Sequence, residues 1–199
     1  MFYSLQGQLA HQEPGMAVVD CGGVGFKCFI SMNTQKNLPS LGAQVKLFTH
    51  LHVREDVLDL FGFYTMPELN CFKLLTSVSG IGAKTAILIL SEYTAERVAL
   101  IIATGDSKSL TKVSGIGTKG AQRIVLELKD KFKGMAVDNS TGEVLDMGIV
   151  SASGNAQEAI GALSLLGYSQ SEASVAVAKL DSSLPVEILI REALKGINS

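Results

Sequence analysis

The chain has 199 residues, 47% of them hydrophobic and 18% charged, with a net charge of −2 and no tryptophan. That balance excludes a disordered chain, and the longest apolar runs, TAILIL at 85–90 and VALIIA at 98–103, are far too short to span a bilayer. The opening MFYSLQGQLAHQE has neither the basic start nor the apolar stretch of a signal peptide, so a cytoplasmic location is expected and no membrane partner.

Charge is spread unevenly. Residues 1–63 carry a net −1, residues 64–134 a net +4 and residues 135–199 a net −5. The overall charge argues against a nucleic-acid partner; the basic middle segment reverses that conclusion.

The first 63 residues read as β structure. FYSLQGQLAHQ is followed by the turn Glu13-Pro14-Gly15, then MAVVDC, Gly22-Gly23 and VGFKCFIS. After a polar stretch with Pro39 and Gly42, AQVKLFTHLHV places Val45, Leu47, Thr49, Leu51 and Val53 on one face and Lys46, Phe48, His50 and His52 on the other. A charged break at Arg54-Glu55-Asp56 leads into VLDLFGFY. Some five short strands with glycine-rich turns predict a small closed barrel of the OB type. Cys21, Cys28 and Cys71 lack C-x-x-C spacing and are expected as reduced thiols, and His50 and His52 have no third ligand beside them. No metal and no cofactor is expected.

From Met66 the pattern turns helical. PELNCFKLLTSV opens with Pro67 and Glu68, favourable first-turn residues, and a glycine turn then leads into AKTAILILSEY. TAERVALIIATG takes Thr94 as N-cap and stops at Gly105. DSKSLTKV leads into a second glycine turn, and TKGAQRIVLELKDKF runs out to Gly134. The unit is helix–turn–helix repeated with a 35-residue period, too few copies for a stacked array. Residues 135–154 lack periodicity, are rich in Gly, Ser, Asp and Asn, and read as a flexible linker. Three short helices follow: AQEAIGALSLLGY, then SQSEASVAVAKL with Ser169 and Glu172 at capping-box spacing, then SLPVEILIREALKGI starting near Pro185. A bundle this small leaves apolar surface outside, a candidate docking face.

The two turns read VSGIGAKTA at 78–86 and VSGIGTKGA at 113–121. A Walker A loop needs four residues between its first glycine and Gly-Lys-Ser/Thr, and it follows a strand; Ala83 separates Gly82 from Lys84, and a helix comes first. Gly115, Gly117 and Gly120 match G-x-G-x-x-G, but DSKSLTKV is not strand-like, which excludes a dinucleotide fingerprint. The remaining reading is a helix-reversing turn with positive φ, whose backbone amides and helix N-terminus face outward and accept an anion such as one phosphate. Lys84 lies in the first turn of its helix, where an external anion would relieve its clash with the dipole. Lys119 repeats that offset, and Arg123 shares its face. Gly120, inside the first turn of its helix, costs about 1 kcal/mol relative to Ala, so either a loose helix start or tight packing is expected there.

Both stretches resemble the helix-hairpin-helix motif, which grips DNA backbone without reading sequence. A tandem pair after an OB-like barrel, with a small three-helix domain beyond a linker, resembles the RuvA family. The likeness covers the whole chain, including HVRED and GF in the barrel, both glycine turns, and LGY and LIREAL in the tail. It implies an α+β multidomain fold: an OB barrel over 1–63, tandem helix-hairpin-helix over 64–134, the linker over 135–154, and a three-helix, UBA-like domain over 155–199. It further implies a homotetramer, or an octamer on DNA, that holds four-way junction DNA open and flat. The implied partners are a RuvB-type hexameric ATPase and a junction resolvase. Gly80, Gly82, Lys84, Gly115, Gly117, Lys119 and Arg123 then become phosphate contacts, Glu55 and Asp56 an acidic pin at the tetramer centre, and Leu166, Tyr168 and Ile197 contacts to the ATPase.

Taken from the residues alone, Glu55-Asp56 is a charged β-turn, and Leu166 and Tyr168 are equally core residues. No nucleophile–base pair is in view, so no intrinsic active site is expected. Two alternatives stay open. One is a DNA glycosylase using Asp138, about 20 residues after the second turn; the other is a generic repair scaffold on duplex DNA.

Overall fold

The structure, a computed structural model, describes residues 2–137 and 154–197. The strands are β1 (Ser4–Glu13), β2 (Met16–Asp20), β3 (Gly25–Phe29), β4 (Gln44–Arg54) and β5 (Val57–Phe63), with helix α1 (Met32–Asn37) between β3 and β4. They close into a barrel in the order β1-β2-β3-β5-β4, with β1 pairing antiparallel to both β2 and β4 and β3 meeting β5 in parallel. This is the expected OB-like barrel. Alternation fills it: Leu5 and Leu9 of β1, Ala17 and Val19 of β2, Cys28 of β3, Val45 and Leu47 of β4 and Leu60 of β5 form one buried cluster. Burial pushes the Cys28 thiol up to about 12, with Cys21 nearby adding to the effect, so Cys28 serves as packing.

The polar stretch before Pro39 is a helix that the sequence pattern does not reveal. Ser31 caps α1, its hydroxyl accepting from the Thr34 amide at 2.9 Å. Six residues are too few for a helical apolar period to emerge.

Helices α2 (Met66–Thr76), α3 (Ala83–Glu92), α4 (Ala95–Thr104), α5 (Ser107–Leu110) and α6 (Thr118–Val137) follow, then α7 (Gly154–Leu165), α8 (Gln170–Ala178) and α9 (Val186–Ile197). Two compact units result: one holds Met1–Ala95 with Val113–Gly115, the other Glu96–Lys112 with Ile116–Ser199. In the first, α2 lies on the outer face of β4 and β5, where Phe72 meets Phe61, Phe63 and His50 with ring centroids 4.9–5.3 Å apart. In the second, α4 ends as its composition predicts. Gly105 takes φ +77° and the amides of Gly105 and Asp106 return to the carbonyls of Ile102 and Ile101, a Schellman motif.

Helix α6 runs on to Val137, past the end expected at Gly134, so its last residues are helix where the sequence suggests linker. The rest of that segment, and Asp138 with it, lies outside the described residues. Helices α7, α8 and α9 each pack on the other two, around Ala159, Leu163, Val177, Leu189 and Ile190. Ser169 and Glu172 form the full capping box, and those hydrogen bonds hold the Glu172 carboxyl below the usual range. Among the described residues no helix is long and apolar enough to cross a membrane.

Candidate nucleic-acid interface

Residues 77–82 and 112–117 follow the same course: a turn, then two residues outside any regular element, then a helix. Within each VSGIG the valine is buried and the serine and first glycine are exposed. The apolar residues anchor the turn and push its backbone outward. Positive φ is confined to the first glycine of each pair, +82° at Gly80 and +83° at Gly115. An alanine there would pay the left-handed penalty, which explains glycine at both positions.

The second glycines have another role than the one expected of them. Gly82 is the N-cap of α3 at φ −84° and ψ 169°, an ordinary extended conformation. A Cβ added to Gly82 or Gly117 would meet no atom within 4 Å. Neither strain nor crowding demands glycine, and no side chain caps the start of α3. The first amides of α3 therefore lack a side-chain acceptor and open onto free space, the arrangement in which an external anion completes a helix N-terminus.

Lys84 and Lys119 are exposed, each four residues beyond the positive-φ glycine. Arg123 is one turn beyond Lys119 and exposed, with its Nε 3.9 Å from Glu127. The supports differ. Thr65 caps α2 through the Glu68 amide at 3.3 Å, whereas the one-turn α5 is capped by Asp106, whose carboxylate accepts from the Ser109 amide and hydroxyl. Those bonds hold the Asp106 carboxyl below its usual range. Residues 107–110 are helical, so the G-x-G-x-x-G match at Gly115 lacks the strand it needs. At Gly120 a Cβ would meet only Ile116 Cγ2 at 3.8 Å, ordinary contact, which removes tight packing as its explanation.

Glu55 and Asp56 form the two-residue loop of the β4–β5 hairpin, closed by Arg54 opposite Val57, and both are exposed. Behind them Val53 pairs with Leu58, 63% and 73% exposed. The hairpin thus carries an acidic tip on an apolar stalk, and the stalk is hidden in the sequence because its alternation looks like that of a core strand. His50 and His52 lie on the opposite face of β4, their rings edge-on to Phe72 and Phe61.

Three family models match in chain order: RuvA N terminal domain over residues 1–62, SAM-like Helix-hairpin-helix tandem over 72–130, and RuvA, C-terminal domain over 154–198. Full-length relatives named Holliday junction branch migration complex subunit RuvA include those of Desulforamulus reducens, 46% identical, Acetivibrio thermocellus, 43%, and Neisseria meningitidis, 41%. Each alignment covers 99% of this chain and 98–99% of the relative. The chain belongs to the RuvA family.

In this RuvA-family chain the three tail residues singled out from sequence do not stand alike. Leu166 is 3% exposed and packs inside the three-helix domain, so it is core and not contact surface. Its position follows from the cap: Gly167 takes φ +97°, and the amides of Gly167 and Tyr168 bond to the carbonyls of Ser164 and Leu163, turning Leu166 inward. Tyr168 and Ile197 are half-buried and keep part of their surface outside.

Proposed function

We propose that the chain holds four-way junction DNA by its phosphate backbone, without reading bases, as the DNA-binding subunit of a branch-migration complex whose ATPase is a separate RuvB-type protein. The observation that carries this reading is the duplicated turn: the same backbone, the same positive-φ glycine, the same open approach over the second glycine and the same lysine offset. The name borne by the relatives supports it.

Each turn takes one phosphate between its outward amides and its lysine, Arg123 adding to the second. Backbone contacts of this kind position a duplex and carry no sequence information. Four chains around a junction would multiply the grip over its arms. The exposed Val53–Leu58 pair supports such an assembly, because apolar surface on a projecting hairpin gains by being covered. Packing four hairpins about one axis would mass Glu55 and Asp56 at the centre, where their charge repels phosphate and parts the strands at the crossover. Tyr168 and Ile197 mark the surface that the three-helix domain offers to the ATPase. The chain itself performs no catalysis in this reading.

Fluorescence anisotropy on a four-way junction and on linear duplex of the same sequence, over a salt series, tests it. Tighter junction binding that weakens steeply with salt is expected. Equal affinity for the two would replace this reading with a generic duplex scaffold, and release of a base would replace it with a glycosylase.

A further inference from the structure

Glu68 is 6% exposed, a buried acidic residue in the third position of α2. Thr65 and Glu68 have capping-box spacing, yet the carboxylate reaches away from its own helix. Its Oε1 accepts a hydrogen bond from the Ser31 hydroxyl, and its Oε2 accepts from the Thr34 hydroxyl at 2.6 Å. Both donors belong to the start of α1, and both are already in use. Ser31 Oγ accepts from the Thr34 amide, and Thr34 Oγ1 accepts from the Tyr64 amide at the end of β5, 2.9 Å in each case.

The same end of α1 also holds the other helix of the first glycine turn. The Met32 amide donates to Ser91 Oγ at 3.0 Å, and Asn33 Nδ2 donates to the Leu90 carbonyl at 2.6 Å, in the last turn of α3. The start of α2 and the end of α3 are the two feet of the hairpin whose tip is the Gly80–Gly82 turn. Both feet are therefore bolted to one six-residue helix of the barrel by directional bonds, which fix an angle where apolar packing would tolerate sliding.

We propose that Glu68, with Ser31 and Thr34, is a positioning residue for junction binding: it sets the tilt of the first hairpin on the barrel, and with it the place of the phosphate-gripping turn. The idea rests on the junction-binding reading above. The leverage is large. An 11-residue α2 is about 16 Å long, so a tilt of about 5° at its foot moves the turn by about 1.4 Å. A single duplex can follow a displaced turn. A junction held at several points at once cannot, because every contact must be met in one geometry. Loss of the carboxylate also leaves two buried hydroxyls without their acceptor, which favours a shifted foot over the original one.

The test uses the full chain and measures affinity for four-way junction and for linear duplex, with urea unfolding alongside. Glu68→Ala is expected to cut the junction-over-duplex preference about tenfold while duplex affinity stays within about twofold. Glu68→Gln, which keeps one acceptor oxygen in place, is expected to recover part of that loss. Val19→Ala, a barrel-core change distant in the chain from both feet, controls for stability and is expected to lower the unfolding midpoint without changing the preference. If Glu68→Ala does not fold, Thr34→Val removes one donor and is expected to reduce the preference about threefold. A wild-type preference in a folded Glu68→Ala or Thr34→Val variant overturns the proposal, and so does an equal drop in Val19→Ala. A wild-type chain that binds both DNAs alike overturns the functional reading, and this proposal with it.

Discussion

The first glycine turn joins helices of 11 and 10 residues whose far ends are hydrogen-bonded to α1; the second joins a four-residue helix to one of 20 residues. Their turns nevertheless agree to within a degree in φ at Gly80 and Gly115, in the buried valine and exposed serine ahead of that glycine, and in the open space over Gly82 and Gly117, although Ile81 is half-buried where Ile116 is buried. What repeats is the part that faces outward. What differs is the support, supplied by barrel hydrogen bonds in one case and by the Asp106 cap in the other. The seating of an anion proposed above would account for that division, whereas a common folding need would have preserved the flanking helices too.

The strongest attempt to break the equivalence is to cap each helix from within. Asp at Gly82 or Gly117 fits sterically and can accept the orphan amides, so each substitution is expected to stabilise its helix by a few tenths of a kcal/mol to about 1 kcal/mol. The same carboxylate would occupy the place proposed for the phosphate, and DNA affinity is expected to fall about 100-fold when both turns are changed. Opposite signs for stability and binding are the signature. A turn whose Asp variant gains stability and keeps full affinity is only a helix reversal.

Removing the lysines is a milder probe. Lys84→Ala and Lys119→Ala are each expected to weaken binding about tenfold, and to reduce the slope of log affinity against log salt by about 0.9 for each phosphate that is no longer neutralised. Arg123, already shared with Glu127, should compensate in part for Lys119. The loss should therefore be larger at Lys84, and the reverse order would assign the main grip to the second turn.

Much of this was legible in the chain because each legible feature is local. V-S-G-I-G fixes a φ, a burial alternation and a helix start within five residues, and its recurrence 35 residues on made it conspicuous. The barrel followed from alternation and turn glycines for the same reason. Glu68 was illegible as a joint because its partners, Ser31 and Thr34, are 37 and 34 residues away. Sequence offered only an acidic residue in a first turn, a common surface feature. Leu166 misled in the other direction: an apolar residue before a glycine can be exposed or turned inward, and the Schellman bonds that decide between these involve Leu163 and Ser164.

Gly120 separates the two turns on stability alone. Its counterpart in the first copy is Thr85, and the space at Gly120 accepts a methyl group. Gly120→Ala is expected to stabilise the second unit by about 0.5–1 kcal/mol in urea unfolding, with DNA affinity unchanged. A loss of affinity would instead show that the backbone at Gly120 approaches the phosphate.

The smallest effect expected lies in the support of the first turn. Burial, then Lys73 and then His52, hold the His50 imidazole below its ordinary value of 6.5 where it meets Phe72 of α2. The folded chain therefore keeps His50 neutral at a pH where the unfolded chain has begun to take up the proton. Stability falls as pH drops below 6.5 and levels off only once the folded-state value is passed. His50→Gln removes that proton uptake from both states, so the difference in unfolding free energy between about pH 8 and about pH 5 should be smaller in the variant than in the wild type. The same comparison made on DNA separates support from grip. Because His50 holds α2 and lies away from the turn, the variant's junction affinity at the higher pH should match that of the wild type, and any loss there would mean that the aromatic seat under α2, like the carboxylate at its foot, helps aim the first turn.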